Sequence, residues 1–296
     1  MNEKKRIAIT GSSGLIGSAL VGHLKSQGHT VQRVVRRQAV APDEISWNPS
    51  TSEIDLSALE GVDAVIHLAG AGVGDHRWTK KYKATILNSR LLGTTTIAQA
   101  CATVKPSVFI SASAMGWYGE TGNRAVDEND RAGDDFLAAV CREWEAAADL
   151  AVGVRTVKTR TGLVLDPTGG ALGKMLPLFR LGVGGRMGSG KQWWSWITLH
   201  DEVKAITHLL SSQLLEGAVN ITSPNPVTNE EFTAALARAL HRPALLPVPG
   251  FALRLALGGF SSEILGSKKV LPKALTDDGF LFDYPHLTTA LKELTA

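Results

Sequence analysis

Through the first 165 residues, short apolar runs alternate with stretches whose apolar positions recur every three or four residues. Residues 6–10 are one such run and predict a buried strand. Leu15, Ala19, Leu20 and Leu24 then share one face of a helix over 15–27, and Gly28 is a fitting stop for it. The same alternation predicts strands at 31–35 and 64–68, a helix over 80–103, and a strand at 107–111 ahead of a glycine-containing loop. Asp134 or Asp135 caps a further helix reaching to about residue 150, and 154–160 closes the series as a strand. Strands separated by helices cross over right-handedly, which implies an α/β fold with a Rossmann-type, doubly wound parallel sheet.

After residue 165 the texture changes. Residues 166–191 are rich in glycine and lead to Trp193, Trp194 and Trp196; Pro224 and Pro226 mark a loop, and a helix follows over 228–240. The break predicts a nucleotide-binding domain over 1–165, to which 197–222 returns. A smaller C-terminal substrate subdomain takes 166–196 and 223–296. Residues 182–190 read as a lid, and the tryptophans either stack on a ligand or form core.

Composition excludes several classes. Apolar residues make up 44% and charged residues 20%, as in ordinary globular proteins. A net charge of +3, with basic residues scattered, argues against a nucleic-acid partner. No run approaches the roughly 20 apolar residues that cross a bilayer, and the first residues lead into too short an apolar run for a secretory signal. Cys101 and Cys141 stand far apart, and the eight histidines form no H-x-H or H-x-x-x-H pair, so no metal site is expected. The expectation is a reduced, cytoplasmic protein with a small-molecule substrate.

The strongest chemical signal is Gly11-Ser12-Ser13-Gly14-Leu15-Ile16-Gly17, placed between the first strand and the first helix. Gly11 permits a tight turn, Gly14 lets the backbone approach a pyrophosphate, and Gly17 allows close helix packing. The helix N-terminus then offers free N–H groups to phosphates. A purely structural turn would also use glycines, but here strand, turn and helix stand in the order a dinucleotide requires. At the end of the second strand, where NAD-binding chains carry an acid for the ribose hydroxyl, stand Arg36 and Arg37. Guanidinium groups suit a 2′-phosphate, so NADP(H) is favoured over NAD(H). Two solvated arginines are the bland alternative.

The Gly-x-x-Gly-x-x-Gly spacing resembles the extended branch of the short-chain dehydrogenase/reductase superfamily. His67-Leu68-Ala69-Gly70 is similar to the branch's motif after strand four, which implies that Leu68, Ala69 and Gly70 line the adenosine and ribose side. Residues 111–119 (SASAMGWYG) resemble the stretch after strand five, and 196–203 (WITLHDEV) the later Ile-His-Val-Asp-Asp-Val segment. Ser89-Arg90 before Leu92-Gly93-Thr94, Trp144-Glu145, Arg160-Thr161-Gly162 and Asn225-Pro226-Val227 resemble one atypical subgroup, described as nucleoside-diphosphate-sugar epimerases and sometimes labelled cell-division inhibitors. The resemblance covers essentially the whole chain. It adds Ser111, Arg90 and Arg160 to the cofactor-facing set, with a structural ion pair as the equal alternative for Arg160, and gives His200-Asp201 the task of fastening the second subdomain.

One part of the resemblance fails. The superfamily's acid/base is a tyrosine followed four residues later by a lysine. Aligned on Glu145, those positions are Leu137 and Cys141, and the usual serine or threonine position is Ala114, with Ser113 adjacent. Ser113 and Tyr118 remain as candidate catalytic residues, Arg90 as a cation in place of the lysine, and Cys141 as a packed thiol. Two readings stand. One is an NADP(H)-dependent oxidoreductase or epimerase-like enzyme acting on a small carbonyl or nucleotide sugar; the other is a non-catalytic NADPH-binding sensor or scaffold.

Overall fold

In the computed structural model, which describes residues 4–296, the first apolar run becomes β1 (Arg6–Thr10) at the middle of an eight-stranded sheet. Covered on both faces, β1 is apolar without alternation, as a central parallel strand should be. The chain continues through α1 (Leu15–Ser26), β2 (Thr30–Val35), β3 (Glu44–Asn48), β4 (Glu53–Ile54), α2 (Leu56–Leu59), β5 (Ala64–His67) and α3 (Lys80–Val104). Next come β6 (Val108–Ala114), β7 (Ala125–Val126), α4 (Phe136–Ala148), β8 (Arg155–Thr161), β9 (Leu163–Asp166) and α5 (Gly170–Arg180). Then follow β10 (Trp193–Trp194), β11 (Trp196–Thr198), α6 (Leu199–Ser211), β12 (Gly217–Ile221), β13 (Val227–Thr228) and α7 (Asn229–Ala239). The chain ends with α8 (Gly250–Leu257), α9 (Ser261–Leu265), β14 (Lys269–Val270), α10 (Lys273–Asp277) and α11 (Leu287–Leu294).

The sheet order is β12-β8-β6-β5-β1-β2-β3-β4, parallel throughout except for the β3–β4 edge. The order therefore reverses between β1 and β5, and ligands of such sheets bind in the crevice beyond the carboxyl ends of the strands at that reversal. Two apolar layers flank the sheet. One packs α1 and α6 on it through Leu20, Leu24, Ile206 and Leu209. The other packs α3 and Trp47 through Ile97, Ala98 and Cys101. Asp135 is the aspartate that caps α4, accepting from the Ala138 N–H. Gly28, at φ +83°, ends α1.

The expected strands and helices of the first half agree with these elements to within a few residues. Among the elements that escaped the periodicity, β3, α5 and α6 show why. In β3, Glu44 and Asn48 mask a strand whose Ile45 and Trp47 are buried. In α5, Leu172, Met175, Leu176 and Phe179 have helical spacing hidden behind a glycine-rich start. In α6, the cap is Thr198, whose hydroxyl accepts from the Asp201 N–H.

The tryptophans resolve toward packing. Trp196 is fully buried with its Nε1 donating to Asn225 O, Trp194 packs at a tilt against Phe232, and Trp193 lies under Lys269. Residues 182–190 are tied down rather than free: Gly188 N donates to Val248 O, Met187 N to Asn229 Oδ1, and Glu230 N to Gly190 O. Among the described residues no helix is long and apolar enough to cross a membrane.

Candidate functional site

The turn after β1 shows which of its glycines the fold itself demands. Gly11 has φ +66°, and a Cβ there would lie 2.8 Å from the Leu68 carbonyl carbon. A Cβ on Gly17 would lie 2.2 Å from Gly11 O. The close approach at Gly17 is thus to the turn's own backbone, not to the sheet as the motif suggests. Gly14 differs: its backbone is extended, at φ −76° and ψ 174°, and its Cβ would meet only Gly11 O at 3.3 Å. Of the three glycines, Gly14 is thus the one that the turn's own geometry demands least. Gly14→Val should therefore keep a parental circular dichroism spectrum while dinucleotide binding, followed by fluorescence titration, drops at least a hundredfold, roughly 3 kcal/mol or more. Gly17→Ala should instead lower the melting temperature.

Gly11, Gly14, Leu15, Ile16 and Gly17 line one side of a cavity of about 380 Å³ at the sheet's reversal. Leu68, Ser113, Trp144, Thr161, Gly162 and Glu202 line other parts of it. The Leu68 and Ala69 N–H groups both donate to Thr10 Oγ1, whose hydroxyl partner is His67 Nδ1 at 2.8 Å. That holds the chain after β5 against the turn. Burial pushes the His67 imidazole down to about 3, so it is a neutral strut. A Cβ on Gly70 would lie 3.6 Å from the Arg90 side chain. Ser12 is half-buried and Ser13 exposed on the turn's outer side. Ser111 is fully buried behind the cavity.

Arg36 is exposed, and among the described residues its guanidinium has no partner. Arg37 is committed, binding Glu44 through two hydrogen bonds of 2.7 and 2.6 Å. The acid missing from the end of β2 is thus supplied by the neighbouring strand β3. The Glu44 carboxyl is pushed down to about 2, chiefly by Arg37 and by the Val40 N–H. Pairing β2 with β3 created this contact, which spacing along the chain could not reveal.

Around α4 the structure separates the candidates. Leu137 and Cys141 both face Gly116, where a Cβ would meet Leu137 Cβ at 3.2 Å and Cys141 Sγ at 3.6 Å. Burial pushes the Cys141 thiol up to about 12, so it is an inert packed group. The Arg90 guanidinium covers the Trp144 ring at 4.7 Å and donates to Ala71 O. Ser113 is buried at the cavity wall, and its hydroxyl donates to Glu145 Oε1 at 2.7 Å. Glu145 also holds Arg160, through bonds of 2.8 and 3.0 Å.

Two expected roles do not fit this geometry. Tyr118 is not among the cavity-lining residues; its hydroxyl donates to Asn220 Oδ1 and accepts from Arg160, and burial pushes it up to about 12. Arg160 sits in the same closed network, with Trp117 3.9 Å below its guanidinium, instead of reaching for a ligand. Both side chains are spent on internal partners, because β8, β12 and the Met115–Tyr118 turn enclose them.

The residue that sequence reasoning passed over is Glu202. It is buried in α6, lines the cavity, and accepts from Thr161 Oγ1 at 2.9 Å on Oε1, while Oε2 has no partner. Burial pushes its carboxyl up to about 8. The folded chain therefore keeps a proton that the unfolded chain releases near its ordinary value of about 4.3. Stability should fall as pH rises from about 4.5 to about 8. Denaturant midpoints taken across that window should decline in the parent and decline less in Glu202→Gln. A second unpartnered buried atom, Trp144 Nε1, belongs to another residue of the cavity wall.

Elsewhere, His23, His29, His200 and His208 line an open groove of about 660 Å³. Within reach of one another there, His200, Asp201 and Asp283 are already satisfied. Asp201 accepts from the Asp283 and Tyr284 N–H groups, while Asp283 holds His200 and Lys204. Asp201 thereby ties the C-terminal segment to α6.

The class of protein is now defined: a nucleotide-type cavity at the reversal of a doubly wound sheet. Residues 7–222 match the model of the NAD dependent epimerase/dehydratase family, and residues 248–294 match a domain of unknown function (DUF1731). The chain belongs to the NAD dependent epimerase/dehydratase family. It is 44% identical to an epimerase family protein of Mycobacterium leprae over 99% of this chain and 97% of that one. The crystal structure of the human epimerase family protein SDR39U1, solved with NADPH, superposes with a TM-score of 0.91 at 33% identity, covering 98% of this chain and 99% of that one. A UDP-N-acetylglucosamine 4-epimerase from Bacillus cereus shares the fold, with a TM-score of 0.77 at 19% identity over 99% of this chain and 98% of that one.

Proposed function

We propose that this chain binds NADP(H) and acts with it on a small carbonyl compound or nucleotide sugar. The observation that carries the reading is Gly14: a glycine with an ordinary φ, whose Cβ would meet only Gly11 O at 3.3 Å, standing where a diphosphate would approach. Gly11 to Gly17 would hold the diphosphate, Leu68 to Gly70 the ribose side, and Arg36 the 2′-phosphate. The human relative solved with NADPH supports the choice of cofactor. When bound, the nicotinamide supplies or takes up a hydride. Ser113, held by Glu145, would orient a substrate oxygen, and Arg90 provides a fixed cation on the Trp144 ring. The test is parallel titration with NADPH and NADH, followed by absorbance assays of NADPH consumption against ketones and nucleotide sugars. NADPH should bind more tightly, and equal affinities would overturn the cofactor assignment.

The second reading, an NADPH-binding sensor without turnover, is favoured by the Leu137 and Cys141 pair and by the closed network around Tyr118. Restoring the superfamily pair separates the two. Leu137→Tyr with Cys141→Lys sets an acid/base and a cation four residues apart on one helix face, and should add weak ketone reduction. Cys141→Ser should change any native turnover by no more than a few-fold. Loss of turnover in a folded, cofactor-binding Cys141→Ser would make the thiol chemical.

A further inference from the structure

Among the described residues that line the cavity, Glu202 is the only acid. Its helix α6 begins at the capped Thr198 and lies across the end of β8, where Thr161 donates to Oε1. Nothing pairs with Oε2. On the same helix, Asp201 is spent on the Asp283 and Tyr284 N–H groups. On β8, Arg160 is closed against Glu145 of α4. From α1 the cavity receives Leu15, Ile16 and Gly17; from β9, Leu163 and Val164; from α5, Gly170 and Ala171. The side of β6 contributes Ala112 and Ser113. No cation among the residues lining this cavity could neutralise a carboxylate, yet the turn opposite is built for the negative charge of a diphosphate.

We infer that Glu202 enters the cofactor complex as a neutral carboxylic acid and donates its proton, as a hydrogen bond from Oε2, to an oxygen of the bound dinucleotide. The inference rests on the NADP(H) reading and deepens it by giving the site a proton-linked contact. A carboxylate at this position would meet the diphosphate as like charge in a site that water has left, and buried like charges without a partner are strongly unfavourable. A neutral acid reverses the sign of that contact. Its one spare oxygen, closed within the cavity wall of the unliganded chain, acts as a donor once the carboxyl turns toward the ligand, while the Thr161 hydroxyl saturates the other. Burial alone holds the carboxyl in this state, its proton retained up to about pH 8. Trp144 Nε1 is likewise buried and unpartnered in the same cavity wall.

Glu202 holds no bond to the reacting atoms in this scheme; it is a binding residue, and binding is what its test reads. NADPH is titrated against the full-length protein from about pH 7, where its 2′-phosphate is already largely ionised, to about pH 9.5. Calorimetry in two buffers of different ionisation enthalpy counts protons taken up at about pH 8.5. The parent should lose about tenfold or more in NADPH affinity across this range and take up close to one proton per cofactor above about pH 8. Glu202→Gln keeps the size, the Thr161 bond and a neutral donor. Its affinity should stay within about threefold across the range, with no proton uptake from this site. The same loss and uptake in both proteins would overturn the assignment, as would flat profiles in both. Absence of NADPH binding at every pH would remove the functional reading as well, whereas pH-independent binding removes only the role of Glu202.

Discussion

Glu145→Ala should lower the melting temperature by roughly 10 °C. The Glu145 carboxylate is almost fully buried and collects three hydrogen bonds: two from Arg160 and one from Ser113. Its removal leaves the Arg160 guanidinium buried, stacked on Trp117 and without a counter-charge. Breaking one side of such a pair costs about 3–5 kcal/mol, and each kcal/mol shifts the midpoint by about 2–4 °C in a protein near this size. Removing both charges, as Glu145→Ala with Arg160→Met, should recover much of the loss, since the penalty comes from the orphaned cation. Scanning calorimetry of the three proteins reads the result. A single variant melting within about 2 °C of the parent would show that this network is not closed.

NADPH affinity should fall at least tenfold in Arg36→Ala, with NADH affinity nearly unchanged, because a charge-assisted bond to a phosphate is worth about 1.5–3 kcal/mol. Arg37→Ala should discriminate further. In the parent, Arg37 covers Glu44. Without it the Glu44 carboxylate, still paired with Arg33 at 3.1 Å, loses two of its hydrogen bonds and would repel a 2′-phosphate or accept from a 2′-hydroxyl brought to it. The NADPH-to-NADH affinity ratio should therefore drop more in Arg37→Ala than in Arg36→Ala. The double variant Arg37→Ala with Glu44→Gln should return part of the ratio. If neither arginine variant alters the ratio, these side chains play no part in the choice of cofactor.

The chain's own pattern determined the order of elements, the class of sheet and the phosphate turn. Each of these depends on residues close in sequence: the apolar run Ile7-Ala8-Ile9, helical spacing from Leu15 to Leu24, and three glycines between them. The vacancy at Leu137 and Cys141 was legible only through the family resemblance, which sets its acid/base pair at those two positions of one helix. What tertiary structure alone decided involves partners far apart along the chain. Glu44 reaches Arg37 only because β3 pairs with β2. Tyr118 reads as a free hydroxyl in a loop until β12 brings Asn220 to it and β8 brings Arg160. Glu202 reads as one more acid in the first turn of a helix. It becomes the protonated wall of a cavity only when α6 settles across β8 and against α1, removing water from a carboxyl that receives no cation in exchange. Local periodicity determines which segments form and which faces they bury; desolvation and pairing across crossovers determine what the buried polar groups can do.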